Sequence, residues 1–316
     1  MKKALVTGCA GFIGSHLCEA LVSKGWKVTG IDNFLDNYDR QIKERNLQWL
    51  SGQRNFVFVD RDILEAPLEK LTFKADYVFH LAGQPGVRHS WGGRFDSYVK
   101  NNVLATQRLL EAAKICDIKK IVYASSSSVY GNNGALSTKE THPTRPYSPY
   151  GVTKLAAENL CCLYYENYGV PTVSLRYFTV YGPRQRPDMG ISGFINSMLG
   201  EKPIQVYGDG NQKRDYTFVE DVVTATVLAA QSPVVGEVFN VGSGRPVVLK
   251  EVIKMLERIL DKKTRIEFML SQRGDVRDTF ADTNKIREML EFRPGFGIEE
   301  GLKKQIEYMR KFIRER

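Results

Sequence analysis

The sequence predicts an α/β fold: a doubly wound parallel sheet carrying a second, smaller α/β lobe. Three observations predict it. The chain opens on strand, glycine turn, helix and strand. Short apolar runs then recur between long stretches of helical spacing. After Arg176 that alternation loosens into segments rich in glycine, proline and arginine.

Taken in order, Ala4-Leu5-Val6 reads as the first strand, Phe12 to Val22 as a helix with apolar spacing, and Val28-Thr29-Gly30-Ile31 as the second strand, which together make a βαβ unit. Further strands are expected at Phe56-Val57-Phe58-Val59, Tyr77-Val78-Phe79, Ile121-Val122-Tyr123 and Val173-Ser174-Leu175. The segment from Tyr181 to Gly193 and the polar turn Gly208-Asp209-Gly210-Asn211 begin the second lobe. Phe239-Asn240-Val241 again reads as a buried strand, so the chain is expected to return to the first lobe before finishing in the second. The boundaries that follow are 1–178 with 216–243 for a cofactor-binding domain, and 179–215 with 244–316 for a substrate-binding domain.

At 316 residues and 42% hydrophobic, the chain can bury one large α/β core or two lobes that share one. The apolar run behind Met1-Lys2-Lys3 stops at Thr7-Gly8, too soon for a secretory signal, and no stretch approaches the roughly 20 apolar residues that a membrane span needs. Five cysteines, including the adjacent Cys161-Cys162, show no metal-ligand spacing. A reducing, cytoplasmic location is expected, without a membrane or metal partner. The net charge of +9 would suit nucleic acid, but basic and acidic residues are interspersed. The densest basic stretch, Lys303 to Arg316, reads as a solvated amphipathic helix, and the remaining excess suits a phosphate-bearing substrate rather than nucleic acid.

Thr7-Gly8-Cys9-Ala10-Gly11-Phe12-Ile13-Gly14 spaces three glycines evenly across a strand-to-helix turn. Glycines permit the tight turn and close backbone approach, and the helix N-terminus offers N–H groups to a pyrophosphate. Asp32, with Asn33 beside it, ends the next strand, where a carboxylate takes the adenosine ribose hydroxyls and repels a 2′-phosphate. NAD is therefore expected rather than NADP; the alternative is a glycine turn with no ligand.

Tyr150-Gly151-Val152-Thr153-Lys154 places a phenol and an ammonium on one face of a helix. By itself the pair is common. Here it lies downstream of the βαβ unit and of the hydroxyl-rich Ser125-Ser126-Ser127-Ser128-Val129-Tyr130-Gly131. A free phenol is a poor base at neutral pH, but a lysine cation and a nicotinamide cation both favour the phenolate. Tyr150 is thus the candidate general base, with Lys154 and Ser126 as its partners.

Gly8/Gly11/Gly14, Asp32, Asp62-Ile63, His80-Leu81-Ala82, Ser126, Tyr150/Lys154 and Arg176-Tyr177-Phe178 occur in the order found in extended short-chain dehydrogenases/reductases, and the chain resembles the nucleotide-sugar epimerases of that family nearly end to end. The resemblance implies a Rossmann-type sheet and a homodimer, formed through helices near Val103 to Ala113 and Ala156 to Tyr165, whose apolar faces could equally belong to the core. It also implies that Asp62 and Ile63 flank the adenine, that Leu81, Ala82 and Gly83 line the cofactor, and that Tyr177 approaches the nicotinamide ribose or amide. Alternatively, His80-Leu81-Ala82 is simply the end of a buried strand.

The family contains epimerases, 4,6-dehydratases and decarboxylases. Dehydratases of this type carry Asp-Glu before Val-Tyr-Gly, and UDP-xylose-forming decarboxylases carry Glu there; this chain has Ser127-Ser128. Without that carboxylate, return of the hydride to the other face is the simplest outcome, so 4-epimerisation is expected. Hexose 4-epimerases usually have Asn where Thr179 stands, and Arg186-Pro187-Asp188-Met189 resembles the corresponding segment of UDP-glucuronate 4-epimerases. Arg186 with the hydroxyls of Thr179, Ser127 and Ser128 would give a sugar carboxylate charge-assisted hydrogen bonds; alternatively, Arg184 and Arg186 are solvated or bind diphosphate. The expected substrate is UDP-glucuronate, with UDP-glucose or UDP-N-acetylglucosamine epimerisation next and UDP-glucuronate decarboxylation third. Arg214 and either Arg273 or Arg277 resemble diphosphate-holding positions, and Arg88 is a further candidate. Gln205 and Tyr207 either meet the uracil or form a core strand of the second lobe. A sensor or RNA-binding protein on the same fold would have no need of Tyr150 and Lys154 beside Ser126.

Overall fold

The computed structural model describes residues 1–132 and 137–314. Parallel β1 (Lys3–Thr7), β2 (Lys27–Asp32) and β3 (Phe56–Asp60) lie side by side, with α1 (Phe12–Ser23) crossing between the first two and the short α2 (Arg40–Asn46) and α3 (Gln48–Ser51) between the next two. After α4 (Leu68–Phe73) the chain returns to the centre as β4 (Tyr77–His80), on the other side of β1, with Thr7 paired to His80. It then runs through α5 (Phe95–Tyr98), a π-helical turn at Val99–Leu104 and α6 (Ala105–Lys114) into β5 (Lys120–Ser126), and through α7 (Pro149–Tyr168) into β6 (Thr172–Tyr177).

Every apolar run predicted as a strand forms one. All but β3 are largely buried on both faces, as a parallel sheet with helices on either side requires; β3, at the edge of the sheet, leaves Val57 48% exposed. Beyond β6 come β7 (Thr179–Tyr181), α8 (Gly190–Leu199), β8 (Ile204–Tyr207), β9 (Lys213–Phe218) and α9 (Val219–Gln231). The chain then re-enters the large sheet as β10 (Glu237–Val241), parallel to β6. It ends with β11 (Pro246–Val248), α10 (Leu249–Leu260), β12 (Ile266–Met269), α11 (Asn284–Leu290) and α12 (Ile298–Arg314). The large sheet has the order β10-β6-β5-β4-β1-β2-β3, beside a small β11-β9-β7 sheet and a β12-β8 pair.

Two apolar layers follow from this winding. One joins α1 and α9 to the large sheet and continues through α8, α10 and α12; the other packs α4, α6 and α7 on the opposite face. α12 is amphipathic, with Leu302 and Ile306 buried and Lys303, Glu307 and Arg310 exposed; the end of the basic stretch, Glu315 and Arg316, lies outside the described residues. No helix among the described residues is long and apolar enough to cross a membrane. The strand order reverses between β1 and β4, and the crevice at the carboxyl ends of the strands there is where open α/β sheets bind ligands.

Candidate active site

A cavity of about 480 Å³ opens at that crevice. The carboxyl ends of five strands feed it: Thr7 of β1, Asp32 of β2, the turn after His80 of β4, Ser126 of β5 and Tyr177 of β6. Gly8, Gly11, Phe12, Ile13, Gly14, Asn33, Asp62, Ile63, Leu81, Ala82 and Gly83 line one end, and Ser127, Ser128, Tyr150, Lys154, Thr179, Arg186 and Arg214 the other.

At the first end, glycine is required by contact. A Cβ on Gly14 would stand 2.0 Å from the carbonyl oxygen of Gly8, and one on Gly8, whose φ is +74°, would stand 2.8 Å from the backbone nitrogen of Ala82. α1 therefore starts hard against the turn. No side chain caps it, and its first turn holds no acid, so this end of the helix keeps its N–H groups and positive dipole for a ligand. Asp32 accepts from Ala10 N at 3.0 Å and from Phe34 N at 2.9 Å, which fixes its carboxylate at the cavity edge. Asn33 donates to Asp62 at 2.8 Å. The Tyr38 hydroxyl, which also borders the cavity, is buried without a hydrogen-bond partner. An uncapped helix end, a fixed carboxylate and an unpartnered hydroxyl together fit a dinucleotide.

At the second end, Ser148 caps α7 by accepting from Gly151 N at 3.1 Å, and Pro149 occupies the first turn. The helix thus begins just before Tyr150. The Ser126 hydroxyl, which accepts from Ser128 N at 3.1 Å, lies on the cavity wall with the Tyr150 phenol. Burial pushes that phenol's pKa up, while Ser126 and the positive charge of Arg186 pull it down. Burial lowers the Lys154 ammonium to about 8, with Cys161 and Glu158 opposing. Lys154 Nζ stands 4.5 Å from the centre of the Tyr123 ring. Arg186 brings a positive charge to the phenol from a loop outside α7.

Arg186 bonds both oxygens of Asp188 at 3.0 Å, and its charge also reaches Tyr38 and Tyr98. Its loop is tightly anchored: His16 meets Pro183 O at 2.9 Å, Arg184 pairs with Glu19 at 2.6 Å, and Gly182 N donates to Gln305 at 3.0 Å.

Five candidates do not reach the cavity wall. Arg88 lies over the Tyr207 ring, 4.0 Å from its centre, and pairs with Asp275 at 2.8 Å. Gln205 is exposed on β8, the strand it shares with Tyr207. Arg273 is exposed, and Arg277 is paired with Asp209 at 3.4 Å. Arg214 does border the cavity, steadied by the carbonyls of Val276 and Arg277 at 2.6 and 2.5 Å. Tyr177 contributes to the wall, but its hydroxyl bonds Thr226 at 2.7 Å, on the core side. The wall also includes Lys43, Gln84 and Asn102, which sequence reasoning missed. None sits in a recognisable motif, and only the fold brings them there. Asp188 had a local signal, its place two residues after Arg186, within reach of that guanidinium.

The sequence pattern of the NAD dependent epimerase/dehydratase family matches residues 4–242. The chain belongs to this family. Among curated relatives in it, an uncharacterized UDP-glucose epimerase, YtcB of Bacillus subtilis, is 41% identical over 97% of this chain and 98% of its own. A UDP-glucuronate 4-epimerase of Thermodesulfobacterium geofontis is 39% identical over 98% and 96%. Among solved structures, the UDP-glucuronic acid 4-epimerase of Bacillus cereus, in complex with UDP-glucuronic acid and NAD, superposes with a TM-score of 0.96 at 43% identity, covering 98% of this chain and 99% of that one. The glycine turn, the Asp32 strand end and the Tyr150–Lys154 helix all fall within the part of the chain that the epimerase/dehydratase family pattern spans.

Proposed function

We propose that this protein is an NAD-dependent UDP-glucuronate 4-epimerase, converting UDP-glucuronate to UDP-galacturonate through a 4-keto sugar. The observation that carries the choice of sugar is the guanidinium of Arg186 in the same cavity as Tyr150, with Thr179, Ser127 and Ser128 on the wall around it and no carboxylate in the serine run. NAD bound along the glycine turn supplies hydride acceptance and return at C4. Gly8, Gly11, Phe12, Ile13 and Gly14 hold the pyrophosphate, Asp32 and Asn33 the ribose, Asp62 and Ile63 the adenine, and Leu81, Ala82, Gly83 and Tyr177 the nicotinamide half. Tyr150, as phenolate, takes the 4-OH proton with the help of Ser126, and Lys154 holds the nicotinamide ribose. The 4-keto sugar would turn over, exposing its opposite face to the nicotinamide, and Tyr150 would return the proton to the C4 oxygen. Arg186 and the three hydroxyls keep the C5–carboxylate bond out of line with the ketone, which suppresses loss of CO2.

Arg214 is the diphosphate ligand in this reading. Arg88, Gln205, Tyr207, Arg273 and Arg277 would have to move to reach the nucleotide. The two domains divide at 178, 215 and 243, the second boundary falling inside β9 of the small sheet, with the UDP-sugar lying between them. The protein works in the cytoplasm as a homodimer; Leu104 and Leu163, 48% and 49% exposed near the adjoining α6 and α7, support that assembly. A second reading, UDP-glucose 4-epimerase, draws support from Asp188, which already neutralises Arg186.

The test is incubation of the purified protein, without added NAD, with UDP-glucuronate, UDP-glucose and UDP-N-acetylglucosamine, followed by NMR of the products. UDP-galacturonate from the first alone is expected; UDP-galactose or UDP-N-acetylgalactosamine in its place overturns the carboxylate assignment and leaves the Tyr150 chemistry standing.

A further inference from the structure

Beneath the cavity lies a polar chain with which the chemistry above has no concern. Ala82 N donates to Thr7 Oγ1 at 3.1 Å, and Thr7 Oγ1 lies 2.8 Å from His80 Nδ1. His80 Nε2 lies 2.9 Å from Thr106 Oγ1, which donates to the Asn102 carbonyl at 2.6 Å. The Asn102 side chain continues the chain: Nδ2 donates to Thr153 Oγ1 at 2.9 Å, and Thr153 donates to the Tyr150 carbonyl at 2.9 Å. Thr7, His80, Asn102, Thr106 and Thr153 are all buried.

Donor counting gives this chain one direction. The Thr106 proton is committed to Asn102, so Thr106 must accept from His80, and Nε2 carries hydrogen. With Nε2 protonated, Nδ1 of the neutral ring is bare and accepts the Thr7 proton, for which the hydroxyl, itself accepting from Ala82 N, has no other acceptor among the described residues. His80 is therefore a neutral imidazole in one tautomer, set by its neighbours. A second proton would leave the Thr7 hydroxyl without an acceptor and place a cation near Lys154, whose charge already disfavours it.

The two ends of the chain are functional surfaces. Ala82 belongs to the turn that borders the cavity and packs against Gly8, and Tyr150 lies one helical turn from Lys154 on α7. The same turn is pinned to Asn102 through Gln84, whose N donates to Oδ1 at 2.7 Å. A Cβ on Gly83 would stand 2.8 Å from that Oδ1, so the turn packs hard on Asn102, and 3.9 Å from Lys154 Nζ, within contact of α7. We propose that His80 is a positioning residue: as a neutral Nε2–H imidazole it locks the cofactor-bordering turn 81–83 to the helix that carries Tyr150 and Lys154, so that cofactor affinity and catalytic geometry are set together.

This rests on the NAD-dependent reading but not on the identity of the sugar. Thr106→Val, which keeps shape and removes only the hydroxyl outside the cavity, tests it. Leaving a buried donor unpaired at the far side of His80 is expected to weaken NAD binding to cofactor-stripped protein by about tenfold and to lower kcat at saturating NAD, with KM for the UDP-sugar unchanged. His80→Leu is expected to go further in the same direction. Nitrogen-15 NMR of the wild-type holoprotein is expected to show a bare Nδ1 and a slowly exchanging Nε2–H, the latter exchanging faster in Thr106→Val. Wild-type NAD affinity and kcat in Thr106→Val, or an Nδ1–H tautomer in the wild type, overturns the proposal, and both measurements stand even where His80→Leu does not fold. Because NAD binding is read directly, failure of the sugar assignment leaves these outcomes distinguishable.

Discussion

The same burial pushes Tyr150 and Lys154 each towards its neutral form, so their pKa values move in opposite directions: the phenol's up, the ammonium's down to about 8. Tyr150→Phe is expected to cost at least a hundredfold in turnover while UDP-sugar binding persists, since only the proton-transfer group is removed; near-normal kcat in that variant removes Tyr150 from the mechanism. For Lys154 the folded state binds its proton less well than the unfolded chain. The resulting penalty is complete below pH 8 and is relieved as pH rises from 8 towards 10.5. Lys154→Met in cofactor-stripped protein is therefore expected to be more stable than wild type at pH 7, by an amount on the order of 3 kcal/mol that shrinks as pH approaches 10. Calorimetry decides it: a lower melting temperature at pH 7 would mean that the ammonium is stabilised by its surroundings. The Tyr150–Lys154 pair was legible in the sequence because the two share a helix face; the cationic influence on the phenol was not, because Arg186 arrives from a distant loop.

At the scale of elements, α7 is held to the sheet by a buried ion pair. Arg176 of β6 bonds Glu158 of α7 at 2.6 Å, the Ser125 hydroxyl donates to the same carboxylate at 2.6 Å, and the Tyr130 ring stacks 4.6 Å from the guanidinium carbon. Removing one partner leaves an uncompensated charge in a dry interior, which typically costs roughly 3–5 kcal/mol, whereas replacing both by apolar residues costs far less. Glu158→Gln is expected to lower unfolding free energy by that amount in denaturant titration, and Glu158→Met with Arg176→Met to recover most of it. A double variant as damaged as the single one would show that the pair itself stabilises the fold. The sequence marked Arg176 only as part of a family motif, since nothing in a linear reading says that a carboxylate eighteen residues earlier is its partner.

For the molecule as a whole, two histidines are held neutral: half-buried His16 at about 4, through desolvation and the charge of Arg184, and buried His80 at about 3. Each folded pKa lies below the ordinary 6.5, so the unfolded chain binds protons that the folded one refuses. Stability is then lost as pH falls from about 6.5 towards 4. The melting temperature is expected to drop across that window, and His16→Gln to flatten the drop relative to wild type. Parallel curves for the two proteins would show that carboxylates alone govern acid sensitivity.

What the sequence by itself determined was local and periodic: every strand of the large sheet, the helix after the glycine turn, the placement of Asp32 at a strand end, and the phenol and ammonium on one helix face. These follow from side-chain period and from backbone freedom within a few residues. The tertiary structure alone decided which charges meet. It turned Arg88 onto Tyr207 and Asp275, left Gln205, Arg273 and Arg277 off the cavity wall, faced the Tyr177 hydroxyl into the core, and brought Lys43 and Asn102 to the site. Long charged side chains choose partners by proximity after packing, and proximity between residues far apart in sequence is a property of the sheet order rather than of any local pattern.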